Sequence, residues 1–288
     1  MLLLVACGPG VLHPAGPVTG QERTILFNAL AIMLAIVVPT IVATLVFAWW
    51  FRASNDKATY RPEFTYSGRI ELIVWSIPIL TILFLGGLTW VGSHDLDPAR
   101  PIPSRTRPLE VQVVSLDWKW LFIYPAQGIA TVNQLVVPAG TPVHFSLTSA
   151  SVMNTFFVPQ LGSQIYTMNG MRSQLWLQAD QPGIFYGQSA HFSGDGFPDM
   201  NFRVHAVPAA QFIGWAAGRR GAGPVLDARG YGALAQQSQR VQPYSYRAVQ
   251  PGLFEAIVMQ KLAPAPGPQV GRGGAHTCLL YTSPSPRD

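Results

Sequence analysis

Residues 24–51, "TILFNALAIMLAIVVPTIVATLVFAWWF", contain no charged side chain, and a second uncharged run, "LIVWSIPILTILFLGGLTWVG", fills residues 72–92. As a helix the first run is roughly 42 Å long, more than the ~30 Å apolar core of a bilayer requires. Pro39 and Pro78 are the points at which these helices can kink. Trp49, Trp50 and Trp90 stand near the ends of the runs, as interfacial aromatics do. Buried core helices would be shorter, so the pattern predicts a transmembrane hairpin over residues 24–92, with helices at about 24–51 and 71–92. Gly86-Gly87 in the second run permits close approach of another helix.

Beyond the hairpin the period changes to two. "TPVHFSL" places Val143, Phe145 and Leu147 on one face and His144, Ser146 and Thr148 on the other. "SQLWLQA" turns Leu175 and Leu177 inward, and "MNFRVHAV" does the same for Met200, Phe202, Val204 and Ala206, leaving Arg203 and His205 outside. The turn signals "PAQG", "VPAGTP", "QPG" and "SGDG" separate these runs. Residues 108–208 therefore read as an all-β sandwich or Greek-key barrel. Two weaker helical patterns, "PAAQFIGWAAGRR" and "QPGLFEAIVMQKL", predict a short helical extension over residues 209–262. The low-complexity stretch after it opens a tail, 263–288, read as disordered or artefactual. Its end, "AHTCLLYTSPSPRD", fits nothing before it and reads as adapter read-through, so Cys278 takes no part in the functional reading.

Charge orients the hairpin. Only 11% of the 288 residues are charged, against about 25% in ordinary soluble domains. Arg52, Lys57, Arg61 and Arg69 outnumber Asp56 and Glu63 between the two runs, which makes that loop cytoplasmic and places the N-terminus and the β domain outside, in the periplasm of a Gram-negative cell. The net charge of +5 is otherwise scattered and offers no basic face for nucleic acid. Cys7 and Cys278 are the two cysteines, too few for a disulfide framework or a thiolate metal cluster. Leu4-Val5-Ala6-Cys7-Gly8 looks like a lipoprotein lipobox, with Cys7 as the lipid-bearing residue. The basic start of a full signal is missing, so residues 1–7 read as a truncated or misassigned remnant. A short buried apolar end with a chance cysteine is the alternative.

The chemistry concentrates in "GQSAHFSGDGFPDM", residues 187–200, a loop between two strands of the kind that often holds a metal. Its strongest donors are His191, Asp195, Asp199 and Met200. A site built from His191, His205 and Met200 is conceivable, but alternation puts His205 opposite Met200, and Met200 joins the apolar row.

A two-helix hairpin followed by an external β domain resembles subunit II of haem–copper terminal oxidases, which implies a cupredoxin-like Greek-key sandwich. In the cytochrome c oxidase branch of that family a binuclear copper centre is bound by an upstream His and by a loop C-x-E-x-C-x-x-x-H-x-x-M. Here "SASVMNTFFVPQLGSQIYTMNGM" matches the upstream segment with Asn154 at the His position. In the loop Ser189 and Ser193 stand at the two Cys positions, His191 at the Glu and Phe197 at the second His, while Met200 is retained. Serine hydroxyls are poor substitutes for thiolates, and Asn and Phe supply no imidazole.

Spacing kept while ligands are lost is similar to subunit II of the cytochrome o-type ubiquinol oxidases, as are "FAWWFRASN" and "VVSLDWKWLFIYPAQGIATVNQLVVPAGTPV". The resemblance covers about residues 4–262. It implies a proton-pumping complex that oxidises ubiquinol and reduces oxygen to water, with haems and copper in subunit I, none bound by this chain, and no docking of cytochrome c. The partners it implies are subunit I, the other oxidase subunits and the bacterial inner membrane. Trp118 and Trp120, read as strand residues, would pack against subunit I. A copper-containing subunit of a cytochrome c oxidase is one alternative, though it needs Cys at 189 and 193. A membrane-anchored assembly lipoprotein is another. Glu71, at the cytoplasmic end of the second helix, admits two readings. It can satisfy the helix N-terminus or pair with Arg69 or Arg52; by resemblance it would feed protons into a channel of subunit I.

Overall fold

The computed structural model describes residues 10–59, 61–221 and 223–267; Cys7 and Cys278 lie outside them. The chain divides into two compact units, Gln21–Asp97 and a β-rich unit formed by Met1–Gly20 with Pro98–Asp288.

The first unit is the hairpin. Helix α1 spans Pro17–Trp50 and α2 spans Gly68–Asp95, long and apolar enough to cross a bilayer. Both run past the uncharged stretches from which their limits were read. A helix continues beyond the hydrocarbon into water, where Glu22, Arg23, Arg69 and Asp95 are tolerated, and Pro17 suits a first helical position because it has no N–H to satisfy. Along both helices the large apolar side chains, Leu45, Phe47, Ile82 and Leu83 among them, are exposed to the surroundings. The hydroxyls bond back into their own helices, Thr40 to Ile36 O and Thr44 to Thr40 O at 2.8 Å, Thr81 to Ile77 O at 2.7 Å. A polar group in hydrocarbon needs such an internal acceptor. Gly92 is the glycine that meets the other helix, since a Cβ there would lie 2.7 Å from Ile25 Cδ1; around Gly86 and Gly87 the space is open.

The second unit is a β sandwich. Its strands are β1 (Leu109–Leu116), β2 (Lys119–Tyr124), β3 (Ile129–Val132), β4 (Gln134–Pro138), β5 (Val143–Ser149), β6 (Asn154–Phe157), β7 (Ile165–Thr167), β8 (Ser173–Leu177), β9 (Gly183–Ser189) and β10 (Asn201–Val207). The extension follows with α3 (Ala209–Arg220), β11 (Val225–Leu226), α4 (Ala228–Leu234), β12 (Tyr244–Tyr246), β13 (Ala248–Val249) and α5 (Leu253–Val258). One sheet has the order β12-β3-β2-β1-β5-β8, the other β4-β10-β9-β6-β7. Parallel pairs, β1 with β5 and β4 with β10, give the crossed connections of a Greek-key sandwich. The expected alternation holds: Val143, Phe145, Leu147, Leu175, Leu177, Phe202 and Val204 all fill the inter-sheet core. Phe156 stacks on Phe202 with centroids 5.2 Å apart, and Trp120 meets both edge-on at 5.5 Å.

The extension carries the expected helices and adds strands to them, β12 joining the edge of the six-stranded sheet against β3. It also builds a second core: Tyr231, Leu234, Leu253, Phe254 and Ile257 cover Val114, Leu116, Leu121 and Ile123 on the outer face of that sheet. Strand β2 is therefore buried on both faces, so "KWLFIY" is apolar without alternating. Residues 263–267, expected within the tail, are in part packed: Ala265 is buried and its N–H donates to Ala150 O at 2.9 Å; the rest of the expected tail lies outside the described residues.

The strand reading of Trp118 and the outward packing expected of Trp118 and Trp120 are not what the fold shows. Trp118 lies in the turn between β1 and β2, at φ 63°, not on a strand. It is 4% exposed and Trp120 fully buried, both in the core of their own domain. They are packed inside, with no surface left for a neighbouring subunit.

Candidate functional site

The loop after β9 closes on itself. The N–H of Ser189 donates to Met200 O at 3.0 Å, and a single 3₁₀ turn, Phe197–Asp199, leads into β10. Asn154 opens the neighbouring strand β6, which pairs with β9 at Phe156↔Ser189. The positions aligned by spacing are thus brought together: Asn154, Ser189, Ser193 and Met200 are all buried at this end of the sandwich.

Their polar atoms are engaged with one another. Ser189 Oγ donates to Asn154 Oδ1 at 3.2 Å and lies 3.3 Å from His191 O. Asn154 Nδ2 donates to Val152 O at 3.3 Å. Ser193 Oγ lies 3.9 Å from Met200 Sδ, a weak thioether contact. Behind Asn154, Thr167 Oγ1 donates to Asn154 O at 3.3 Å and pairs with Ser115 Oγ at 2.7 Å. A buried amide and hydroxyl with partners are stable where they stand, and each would cost about 1–3 kcal/mol if left alone. Met200 is 1% exposed in the core.

The other loop residues face outward. Phe197 is half-buried against Phe192, 5.7 Å between centroids, and Phe192 is exposed. His191 is half-buried with its ring edge-on to Tyr166 at 6.1 Å. Asp199 pairs with Arg240 of the extension at 3.1 Å. His205 lies on the face of β10 opposite Phe202 and Val204; burial and then the Arg203 guanidinium lower its pKa. A site from His191, His205 and Met200 is not assembled. Among the described residues no three His, Cys, Asp or Glu side chains gather. The donor set at the aligned positions is an amide, two hydroxyls, a thioether and a carbonyl, which does not fit a copper centre held by thiolate and imidazole.

Asp117 and Lys119, on either side of Trp118, went unread in the sequence. Asp117 and Trp118 form the β1–β2 turn and Lys119 opens β2, and all three are buried. The Trp118 indole N–H donates to Ser193 O at 3.0 Å, and its ring lies where a Cβ on Gly196 would be. Lys119 Nζ donates to Gln236 O and Ser238 Oγ, both at 2.6 Å. Burial lowers the Lys119 pKa to about 8, with the Asp117 carboxylate opposing that fall. Asp117 accepts from Ser151 Oγ and, at 3.0 Å, from Gly267 N. The available signal was two charges inside an apolar run, "LDWKWLF".

In the hairpin, Glu71 is exposed in the first turn of α2. Arg52 is turned away from it, onto Trp49 O and Ser54 Oγ at 3.0 Å each, so the pairing of Glu71 with Arg52 is not formed.

Comparison with known proteins agrees with this geometry. Residues 111–207 match the family "Cytochrome C oxidase subunit II, periplasmic domain", and residues 220–264 match the "COX Aromatic Rich Motif". The chain is 48% identical to the cytochrome bo(3) ubiquinol oxidase subunit 2 of Pseudomonas aeruginosa, over 89% of this chain and 78% of that protein. It is 48% identical to the ubiquinol oxidase subunit 2 of Acetobacter aceti, over 89% and 84%. To the quinol oxidase subunit 2 of Bacillus cereus it is 35% identical, over 75% of each.

Proposed function

This chain belongs to the ubiquinol oxidase subunit 2 family, and we propose that it serves as a subunit II without copper in a proton-pumping ubiquinol oxidase. Ubiquinol is oxidised and oxygen reduced to water by the complex, and the haems and copper reside in subunit I. The observation that carries the metal-free reading is the mutual hydrogen bonding of Asn154 and Ser189 where a copper-binding relative needs imidazole and thiolate. Without a copper port the β domain has no electron to collect from cytochrome c, and its task is structural support of subunit I.

Three finer assignments belong to the same proposal. The hairpin crosses the bacterial inner membrane with its basic loop inside, so the β domain is periplasmic. Association with subunit I rests on helix packing, for which the open face at Gly86-Gly87 is suited. Cys7 is the lipid attachment site, and Glu71 is a proton-uptake group at the cytoplasmic surface.

The test is metal analysis of the full chain purified in detergent after exposure to copper. The expected result is no stoichiometric copper and no thiolate–copper absorption. Stoichiometric, tightly held copper would restore the alternative of a copper electron-transfer subunit.

A further inference from the structure

The loop of residues 187–200 is rich in Ser and Gly. Such a sequence has little packing of its own to hold a shape, and in a copper site the metal would fasten it. Something else must do so here. Within the loop and against its neighbouring strands the ties are the 3₁₀ turn, the Ser189 N–H on Met200 O, the weak Ser193–Met200 contact, the Asn154–Ser189 bond and the ring contacts of Phe192 with Phe197 and of His191 with Tyr166. Two further ties come from outside it. Trp118 lies over Gly196 and donates to Ser193 O, and Arg240 pairs with Asp199.

Both lead to the extension. Arg240 is part of it. Trp118 belongs to a turn whose next residue, Lys119, is buried and directs its ammonium at Gln236 O and Ser238 Oγ. The residue before, Asp117, holds Gly267 N, and Gln237 Nε2 reaches Gly267 O. Asn133 adds a bond from Nδ2 to Val241 O at 2.8 Å while its Oδ1 accepts from Trp120 N at 2.8 Å. Residues 236–238 are thus bound to the residues that flank Trp118, and Val241 to the Asn133 that holds Trp120 N. A buried ammonium with several acceptors on one segment is costly to separate from it, because the charge would stay in the interior unpaired.

We infer that the C-terminal extension is the fastener of the metal-free loop, acting through Lys119 and the Trp118 turn and through the Arg240–Asp199 pair. Lys119 is a positioning residue: it touches no substrate and acts on the loop through Trp118. The inference rests on the reading that the loop binds no copper.

Amide hydrogen exchange on the full chain in detergent tests it, with copper measured on the same samples. In Lys119→Met, exchange is expected to rise at least tenfold in residues 236–241 and several-fold in the loop amides of Phe197, Asp199 and Met200. The protected amides of β5 and β8 should be unchanged. In Arg240→Ala, an exposed change that leaves the cores untouched, loop exchange alone should rise about two- to fivefold, in keeping with a surface pair. Loosening of residues 236–241 in Lys119→Met with an unchanged loop overturns the inference. So does a uniform rise through β5 and β8, which marks general destabilisation. If Lys119→Met does not fold, an unchanged loop in Arg240→Ala overturns it by itself. Stoichiometric copper in the unaltered chain would instead refute the metal-free reading on which the inference rests.

Discussion

Ser189 Oγ donates a hydrogen bond to Asn154 Oδ1 across the β6–β9 boundary, 3.2 Å apart and both buried. The two positions correspond to a thiolate and an imidazole in the copper-binding relatives. On the metal-free reading proposed above, a neutral hydrogen bond stands where those relatives have metal ligands, with the loop length kept.

Asn154→Ala therefore removes a partner and not a ligand. Ser189 keeps His191 O, while Val152 O and the cavity go unfilled. The expected loss is about 1–3 kcal/mol of β-domain stability. Denaturant unfolding of the full chain followed by tryptophan fluorescence measures it, and quinol oxidation by a complex that still assembles should not change. A stability loss near zero would mean the pair is ornamental.

Because the loop length is kept, the site is restorable. The combination Asn154→His, Ser189→Cys, His191→Glu, Ser193→Cys and Phe197→His should take up copper and become coloured, read by absorption and metal content. A folded variant that stays colourless would show that Phe197, now packed on Phe192, directs the backbone away from a ligating position.

Lys119 makes a pH prediction. Its pKa is about 8 in the fold and 10.5 when exposed. Between those values the unfolded chain binds more protons, so stability from this group rises with pH across that window. Below about 8 it is charged in both states and its contribution is flat. The stability of the wild type relative to Lys119→Met should rise between pH 8 and 10. The buried hydroxyls of Tyr124 and Tyr231, with pKa raised by burial, act oppositely at the alkaline end, and the difference between the two proteins cancels them. A relative stability that falls over this range contradicts the assignment.

Glu71 is exposed at the first turn of α2, and its helix-terminal role is worth about 0.3–1 kcal/mol. Glu71→Ala should slow turnover of the assembled complex several-fold with haem content intact, and Glu71→Asp should retain more. Wild-type rates of quinol oxidation and proton uptake in Glu71→Ala would leave the helix-terminal role as its whole function.

The parts of the molecule legible in sequence are those set by local pattern. The helices could be read because charge is excluded over whole turns, and β5, β8 and β10 because one face meets the core and the other does not. The loop positions were legible only through the family resemblance, whose spacing this chain keeps, and Asn154, Ser189, Ser193 and Met200 are all buried at that end of the sandwich. What could not be read depends on distant chain. Strand β2 loses its alternation because Tyr231 and Phe254, more than a hundred residues on, cover its second face. Trp118 looked like a strand residue because nothing nearby announces the left-handed turn. Residues 10–16 gave no signal, yet Ala15 bonds Gln160 O and Asp180 N at 2.9 Å, and Gly16 sits against Gln178 O where a side chain could not.

The central claim is that this chain serves an oxidase that takes electrons from quinol and not through a copper port. Oxygen uptake by the complex purified through a tag on this chain tests it most directly, with ubiquinol and reduced cytochrome c supplied in turn. The account predicts rapid uptake with ubiquinol and none above background with cytochrome c. Uptake driven by cytochrome c, or a tagged chain that brings down no haem, would contradict it.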